Sequence, residues 1–179
     1  MIDIDNAHIY VGTYSKYNNG SLFGKWMSLS KYSDISEFHK ACKELHKDEE
    51  DPELMFQDWE NIPDALIDEC WLSEKFFPLR DSIEALNKEQ QEAFFIWFNN
   101  ESRDISKEDT DILVSTFQDD YCGKYENEKD YAMQYIEDCY DLPEFAKTYF
   151  DYKKFADELF STDYWFEDGC VFRLRQEFK

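Results

Sequence analysis

Three sets of residues have types and spacings that could do chemistry. His39, Cys42 and His46 recur at i, i+3 and i+7, so a helix would bring two imidazoles and a thiol together as a partial transition-metal set. The carboxylate pairs Asp3 and Asp5, Asp109 and Asp111, and Asp119 and Asp120 could each begin a magnesium or calcium site, which needs several oxygen ligands. The stretch KYNNGSLFGKW (16–26) gathers glycine and lysine as a phosphate-binding loop does.

Each set also has a plainer reading. A P-loop needs four residues between its glycines and Ser or Thr after Gly-Lys, whereas three residues separate Gly20 from Gly24 and Trp26 follows Lys25. The flanking stretches HIYVGTY (8–14) and SLFGKWMSL (21–29) are rich in β-branched and aromatic residues, and predict a hairpin turning at Asn18-Asn19-Gly20. Cys42 fits a core position flanked by two surface histidines. In a chain with 41 acidic residues, carboxylate pairs arise without any metal. There is no calcium loop with a central glycine and terminal glutamate, and no Ser or Cys nucleophile has a base that sequence reveals. The sequence therefore assigns no catalytic residue, no metal ligand and no cofactor; a metal-dependent hydrolase stays as a third alternative.

The elements that would position these groups form an α+β chain. After the hairpin, DISEFHKACKELH (34–46) has Phe38, Ala41, Cys42 and Leu45 on one helical face, with Asp34 near its start. Residues 54–60 can supply a third strand, and Pro63 marks a boundary. From Asp64 to about Ser115 glycine is absent, and DALIDECWL, DSIEALNKEQQEAFFIWF and SKEDTDILVSTF have helical spacing, with Ser73 and Ser106 as helix starts. In the last third, 127–140 and 151–160 read as helices and 162–175 as a hairpin turning at Asp168-Gly169. These readings give three small segments, 1–61, 62–115 and 116–179.

Charge is the strongest compositional signal. With 41 acidic against 19 basic residues the net charge is -22, divided -6, -8 and -8 among the three segments. Acids interleave with aromatics throughout, unlike a disordered acidic tail, so the carboxylates must cover folded surfaces. Nucleic acid and anionic membranes are poor direct partners for such a chain, and a basic surface is a good one. Duplex DNA carries one negative charge per roughly 1.7 Å, so this many charges match about 37 Å of duplex. Helical pairs at i and i+4, such as Asp64 with Asp68 and Asp104 with Glu108, would stand about 6 Å apart along the axis. The acids expected to meet a partner are Asp58, Glu60, Asp64, Asp68, Glu69, Glu74, Asp81, Glu84, Glu92, Glu101, Asp104, Glu108, Asp111, Asp119 and Asp120. An acidic chaperone for a basic partner is the second reading. The acidic N-terminus and the shortness of the longest apolar run, AFFIWF (93–98), lead to an expectation of a soluble, cytoplasmic protein with reduced cysteines.

Specific residues carry a family resemblance. The opening stretch, with Ile9-Tyr10-Val11, Lys16-Tyr17-Asn18, Gly20, Leu22, Gly24 and Trp26, resembles the start of ArdA-type antirestriction proteins. FQDDYCGKYENEKDYAMQYIED (117–138) matches as well, and LPEFAKTYFDYKKFADELF (142–160) resembles the family's antirestriction motif, with Lys153 and Asp157 where an acid and a base are expected. The resemblance implies an elongated, curved, three-domain homodimer that imitates bent B-form DNA. Its partner would be the methyltransferase core of Type I restriction-modification enzymes, and it would act without catalysis. The aromatic Tyr121, Tyr125, Tyr149 and Phe150 are the expected dimer contacts.

Overall fold

Ile9 and Val11 alternate with His8 and Tyr10 along strand β1 (His8–Thr13), which gives the strand one fully buried apolar row. In the computed structural model, which describes residues 2–100 and 108–175, β1 is the centre of an antiparallel sheet. Its neighbours are β2 (Lys25–Ser28) and β3 (Leu54–Glu60). The expected pairing of 8–14 with 21–29 forms, with Ile9 opposite Met27 and Tyr10 opposite Trp26.

The connection between those strands differs from the tight turn expected. Tyr14–Asn18 coils into a short helix, α1, because the Thr13 hydroxyl accepts from Lys16 N at 3.3 Å and caps it. Gly20, at φ 78°, ends the turn in the left-handed region that glycine enters freely. Gly24 is dictated by crowding: a Cβ there would lie 2.7 Å from the Val11 carbonyl oxygen.

Helix α2 (Ile35–Leu45) starts where Asp34 accepts from Glu37 N, while the Glu37 carboxylate returns to Ser33 N and Oγ. Those hydrogen bonds from Ser33 hold the Glu37 carboxyl below its ordinary value. The helix buries Phe38 and Cys42 against the sheet, the Phe38 ring 6.0 Å from Phe56 and the Cys42 thiol 3.8 Å from Met27 Sδ. Burying one such phenyl ring contributes roughly 1.5–3 kcal/mol.

The glycine-free stretch is helical only in part. A helix over DALIDECWL does not form; Asp64–Leu66 makes one 3-10 turn, and Ile67–Asp68 (β4) pairs with Trp71–Leu72 (β5). A tertiary hydrogen bond outcompetes local helical spacing, since Phe56 N on β3 donates to the Glu69 carbonyl at the hairpin tip. Helices follow at α3 (Phe76–Glu84), α4 (Lys88–Asn100) and α5 (Thr110–Asp120). Asn87 and Gln90 cap α4 reciprocally, each side chain accepting from the other's backbone N–H. Ser73 Oγ accepts from Lys75 N just before α3, and Asp109 Oδ1 accepts from Asp111 N and Ile112 N at the start of α5. Ser106, Glu101 and Asp104 lie outside the described residues.

The chain divides into two compact units, Met1–Val114 and Ser115–Lys179. Within the first, Arg80 on α3 donates to the carbonyls of Leu29 and Tyr32 at 3.1 and 2.9 Å, and Lys88 pairs with Asp5 at 3.0 Å. Residues on either side of Pro63 are thereby tied together. The second unit has a sheet of order β6-β8-β7, formed by Tyr121–Lys124 (β6), Tyr164–Glu167 (β7) and Cys170–Arg173 (β8). Its hairpin turns at Asp168 and Gly169, at φ 49° and 80°, as the sequence predicts. Helices α6 (Glu128–Cys139) and α8 (Tyr152–Thr162) are capped by Asn127 and Asp151, and a short helix α7 (Glu144–Tyr149) precedes α8. The core of this unit holds Tyr131, Ala132, Ala156, Leu159, Tyr164 and Val171.

Candidate functional site

The catalytic constellations raised by the sequence resolve into structural contacts. His46, expected at the surface, is instead fully buried, with Nε2 at 3.2 Å from the Val11 carbonyl and Nδ1 at 3.0 Å from Lys16 Nζ. A carbonyl only accepts, so the imidazole carries its proton on Nε2 and accepts from Lys16 through Nδ1. Cys42 is buried and its thiol is pushed up to about 12 by desolvation, so it is protonated at neutral pH. Burial, reinforced by Lys43, lowers the value of His39. Among the described residues, no group of three His, Cys, Asp or Glu side chains is arranged to hold a metal ion.

The carboxylate pairs are similarly occupied. Asp3 accepts from Asn6, Asp5 pairs with Lys88, and Asp109 caps α5. Asp120 is only 2% exposed, and both of its oxygens accept from Arg175 Nε, at 2.8 and 3.0 Å. Lys16, a lysine of the loop-like stretch, is held by Asp48 at 2.8 Å and Glu49 at 3.3 Å, and sits over the Phe23 ring. It is bound to its own carboxylates and unavailable to a phosphate.

What remains on the surface is carboxylate. Of the acids expected to meet a partner, Asp58, Glu60, Asp64, Asp68, Glu69, Glu74, Asp81, Glu84, Asp111 and Asp119 are exposed, while Glu92 and Glu108 are half-buried. Glu101 and Asp104 fall outside the described residues. Asp120 is a correction: its burial beside Arg175 removes it from the surface, since a desolvated carboxylate needs a fixed partner. Asp64 and Asp68 also stand differently, on a 3-10 turn and a strand, so the helical spacing expected between them does not apply. Several outward acids have local partners, with Asp81 held by Arg80 at 2.7 Å and Asp111 accepting from Ser82.

The second unit carries exposed acids that sequence reasoning did not single out. Glu137, Asp138 and Asp141 lie around the end of α6, and Asp157 and Glu158 lie on α8. The signal is the -8 of the last segment, of whose acids the sequence reading assigns only Asp119 and Asp120 to the partner. The reversed pair in the motif-like stretch has a simple outcome, since Lys153 Nζ lies 3.9 Å from Asp157 Oδ2 across one helical turn. Exchanging acid for base keeps the i,i+4 interaction, though in the less favourable order.

The four expected dimer contacts are of two kinds. Tyr121 stacks on Phe117 at 5.4 Å and lies 5.7 Å from Phe172, while Tyr125 packs edge-on against Tyr131 at 5.0 Å, so both serve their own unit's interior. Phe150 is half-buried against Tyr152 and Phe155. Tyr149 is 76% exposed and pairs at 5.1 Å with Phe145, 77% exposed, on the same face of α7. Phe145 was missed because the short helix that presents it was not predicted.

No helix among the described residues is long and apolar enough to cross a membrane. No curated protein matches the chain at a significant level. A family model described as antirestriction protein (ArdA) matches residues 9–172, from the first strand to the last. Together with the hairpin-bearing first unit and the motif-like α7–α8 stretch, that match places the chain in the ArdA family of antirestriction proteins.

Proposed function

We propose that this antirestriction protein works as a DNA mimic, occupying the DNA-binding surface of a Type I restriction-modification enzyme at its methyltransferase core. The observation that carries the reading is the exposure of carboxylates on both units of a chain whose net charge is -22. A protein surface that reads phosphates offers arginine and lysine without regard to base sequence, and carboxylates on rigid helices and strands can take the phosphates' place. Binding, exclusion of DNA and hence of restriction would follow without bond chemistry, so the protein acts as an inhibitor and not as an enzyme, in the cytoplasm where incoming DNA is cut.

The second unit is proposed to dimerise. Phe145 and Tyr149 support this, because two large rings in contact and three-quarters exposed are costly to leave in water. A two-fold interface would double the carboxylate track.

Competition decides the reading. The protein should displace DNA from purified Type I methyltransferase, with affinity falling steeply as salt rises, because basic groups must exchange counterions for carboxylates. Simultaneous binding of DNA and protein, or inhibition insensitive to salt, would overturn it. A Phe145→Lys, Tyr149→Lys variant followed by sedimentation tests the dimer: it should dissociate while keeping each unit's fold.

A further inference from the structure

In the first unit most large apolar residues are buried, but Tyr17 is 49% and Leu22 70% exposed, both from the connection between β1 and β2. They line a concavity of about 530 Å³ together with Phe56 and Trp59 of β3 and with Asp68 and Glu69 of the β4–β5 hairpin. That size lies in the range of ligand-bearing clefts. The floor is rigid: Phe56 is 2% exposed, and its N–H donates to the Glu69 carbonyl, which locks the hairpin tip beside β3.

The lining is aromatic, apolar and acidic, with one neutral amide, Gln57, and no basic side chain. The Asp68 carboxylate is held by Glu69 N at 2.7 Å, and among the described residues no basic side chain reaches ion-pair distance of Asp68 or Glu69. Such a lining selects its occupant by charge and shape. An anion is repelled by the two carboxylates, and an apolar group would cover them without supplying a donor. A cation is attracted both by aromatic faces and by carboxylates. A guanidinium suits the site better than an ammonium, because it is planar, weakly hydrated and able to stack on a ring while donating in a fork to an acid.

We propose that this concavity receives an arginine side chain of the partner protein. The proposal rests on the mimic reading for the partner's basic character and adds something a carboxylate track lacks. Exposed charge alone attracts over distance but fixes no position, whereas a pocket for one planar cation sets where the partner's surface stops sliding.

The test uses the intact protein and blocked tripeptides Gly-Arg-Gly, Gly-Lys-Gly and Gly-citrulline-Gly, titrated while the indole signal of Trp59 is followed by NMR. The arginine peptide should give a saturable shift, the lysine peptide should bind about fivefold more weakly, and the citrulline peptide, uncharged but of equal shape, at least about tenfold more weakly. The variant Asp68→Asn, Glu69→Gln should lose the arginine response, and Glu44→Gln, altered on α2, should keep it. Equal arginine and lysine responses spread over all acidic faces would mean general counterion attraction and overturn the proposal. So would a citrulline response as strong as the arginine one. DNA competition against the methyltransferase is run alongside on the unaltered protein. Displacement of DNA without any peptide response overturns the pocket and leaves the mimic reading standing. A peptide response as expected without displacement upholds the arginine site and sinks the mimic reading.

Discussion

Phe38, Phe56, Phe76, Phe77, Phe94 and Trp97 fill the first unit with rings that are at most 2% exposed, five of them without any polar atom. The second unit buries Phe117 and Phe172 as well, but sets a cluster of phenols beside them. Tyr131 packs against Tyr125, Tyr164 and Phe160 at 5.0, 5.0 and 5.7 Å, and Tyr135 and Phe155 border them. The difference follows from size. A large unit can fill its interior with purely apolar rings, while a small one has less apolar area to bury, and a phenol supplies ring area while its hydroxyl stays near a polar neighbour or the surface. The acidic surface is common to both, so it does not depend on either kind of core.

Truncation separates the two cores most sharply. Trp97→Ala should cost about 3–5 kcal/mol through transfer and cavity terms. Urea unfolding followed through near-ultraviolet dichroism should report the loss in the first unit, and an equal loss of the tyrosine signals of the second would show that the units fold as one.

Alkali tests the same contrast chemically. Burial pushes Cys42 from its ordinary 9.0 up to about 12, and burial, followed by the bond to Tyr164, raises Tyr131 above its ordinary 10.0. In both cases the folded state holds the proton more tightly than the unfolded chain does. The stability is therefore complete below the ordinary value and is lost as pH rises, from about 9 towards 12 in the first unit and from about 10 upwards in the second. Melting curves across that range should show two components, and Cys42→Ala should flatten the first alone.

Tyr131→Phe changes almost no volume and removes one hydroxyl from the phenol cluster, so it should destabilise the second unit by about 1 kcal/mol. The reverse exchange, Phe94→Tyr, brings an unpartnered hydroxyl into the first unit and should cost a similar amount. If Tyr131→Phe is neutral in urea titration, the phenol network is packing by another name. Two adjacent carboxylates share Arg175 unequally: Asp120→Asn should lower the melting temperature of the second unit by weakening the buried contact at 2.8 Å, while Asp119→Asn, exposed and 3.8 Å from the same guanidinium, should lower it far less. The smallest effects are at helix starts, where Asp34→Ala in the first unit and Asn127→Ala in the second should each cost about 1 kcal/mol.

How much of this was legible beforehand depended on whether the deciding interaction was local. Asp34, Asn127 and Asp151 cap the helices read from spacing, and the Asp168-Gly169 turn lies where two adjacent residues tolerant of positive φ placed it. The β4–β5 hairpin was read as helix because its cause, the bond from Phe56 N to Glu69, joins residues far apart in sequence. Strand β6 was missed for the same reason, as it exists by pairing with β8 across the whole second unit. For the surface, the charge count and the exposed acids agreed, but exposure of single residues did not follow from type. Asp119 and Asp120 are indistinguishable in sequence and opposite in burial, and of Tyr121 and Tyr149, both expected as dimer contacts, one is half-buried in its own unit and the other exposed.

The sheet of the first unit has β2 and β3 as its outer strands; the β4–β5 hairpin bonds to β3 at Phe56, and beyond that point β3 carries Asp58 and Glu60, both exposed. An outer strand is a template on which a second chain can add, and such additions propagate into aggregates. Charged side chains along β3 make that addition repulsive. Neutralising Asp58 and Glu60 should therefore shorten the protein's shelf life at high concentration, so the acids offered to a partner also keep copies of the chain from sticking to one another.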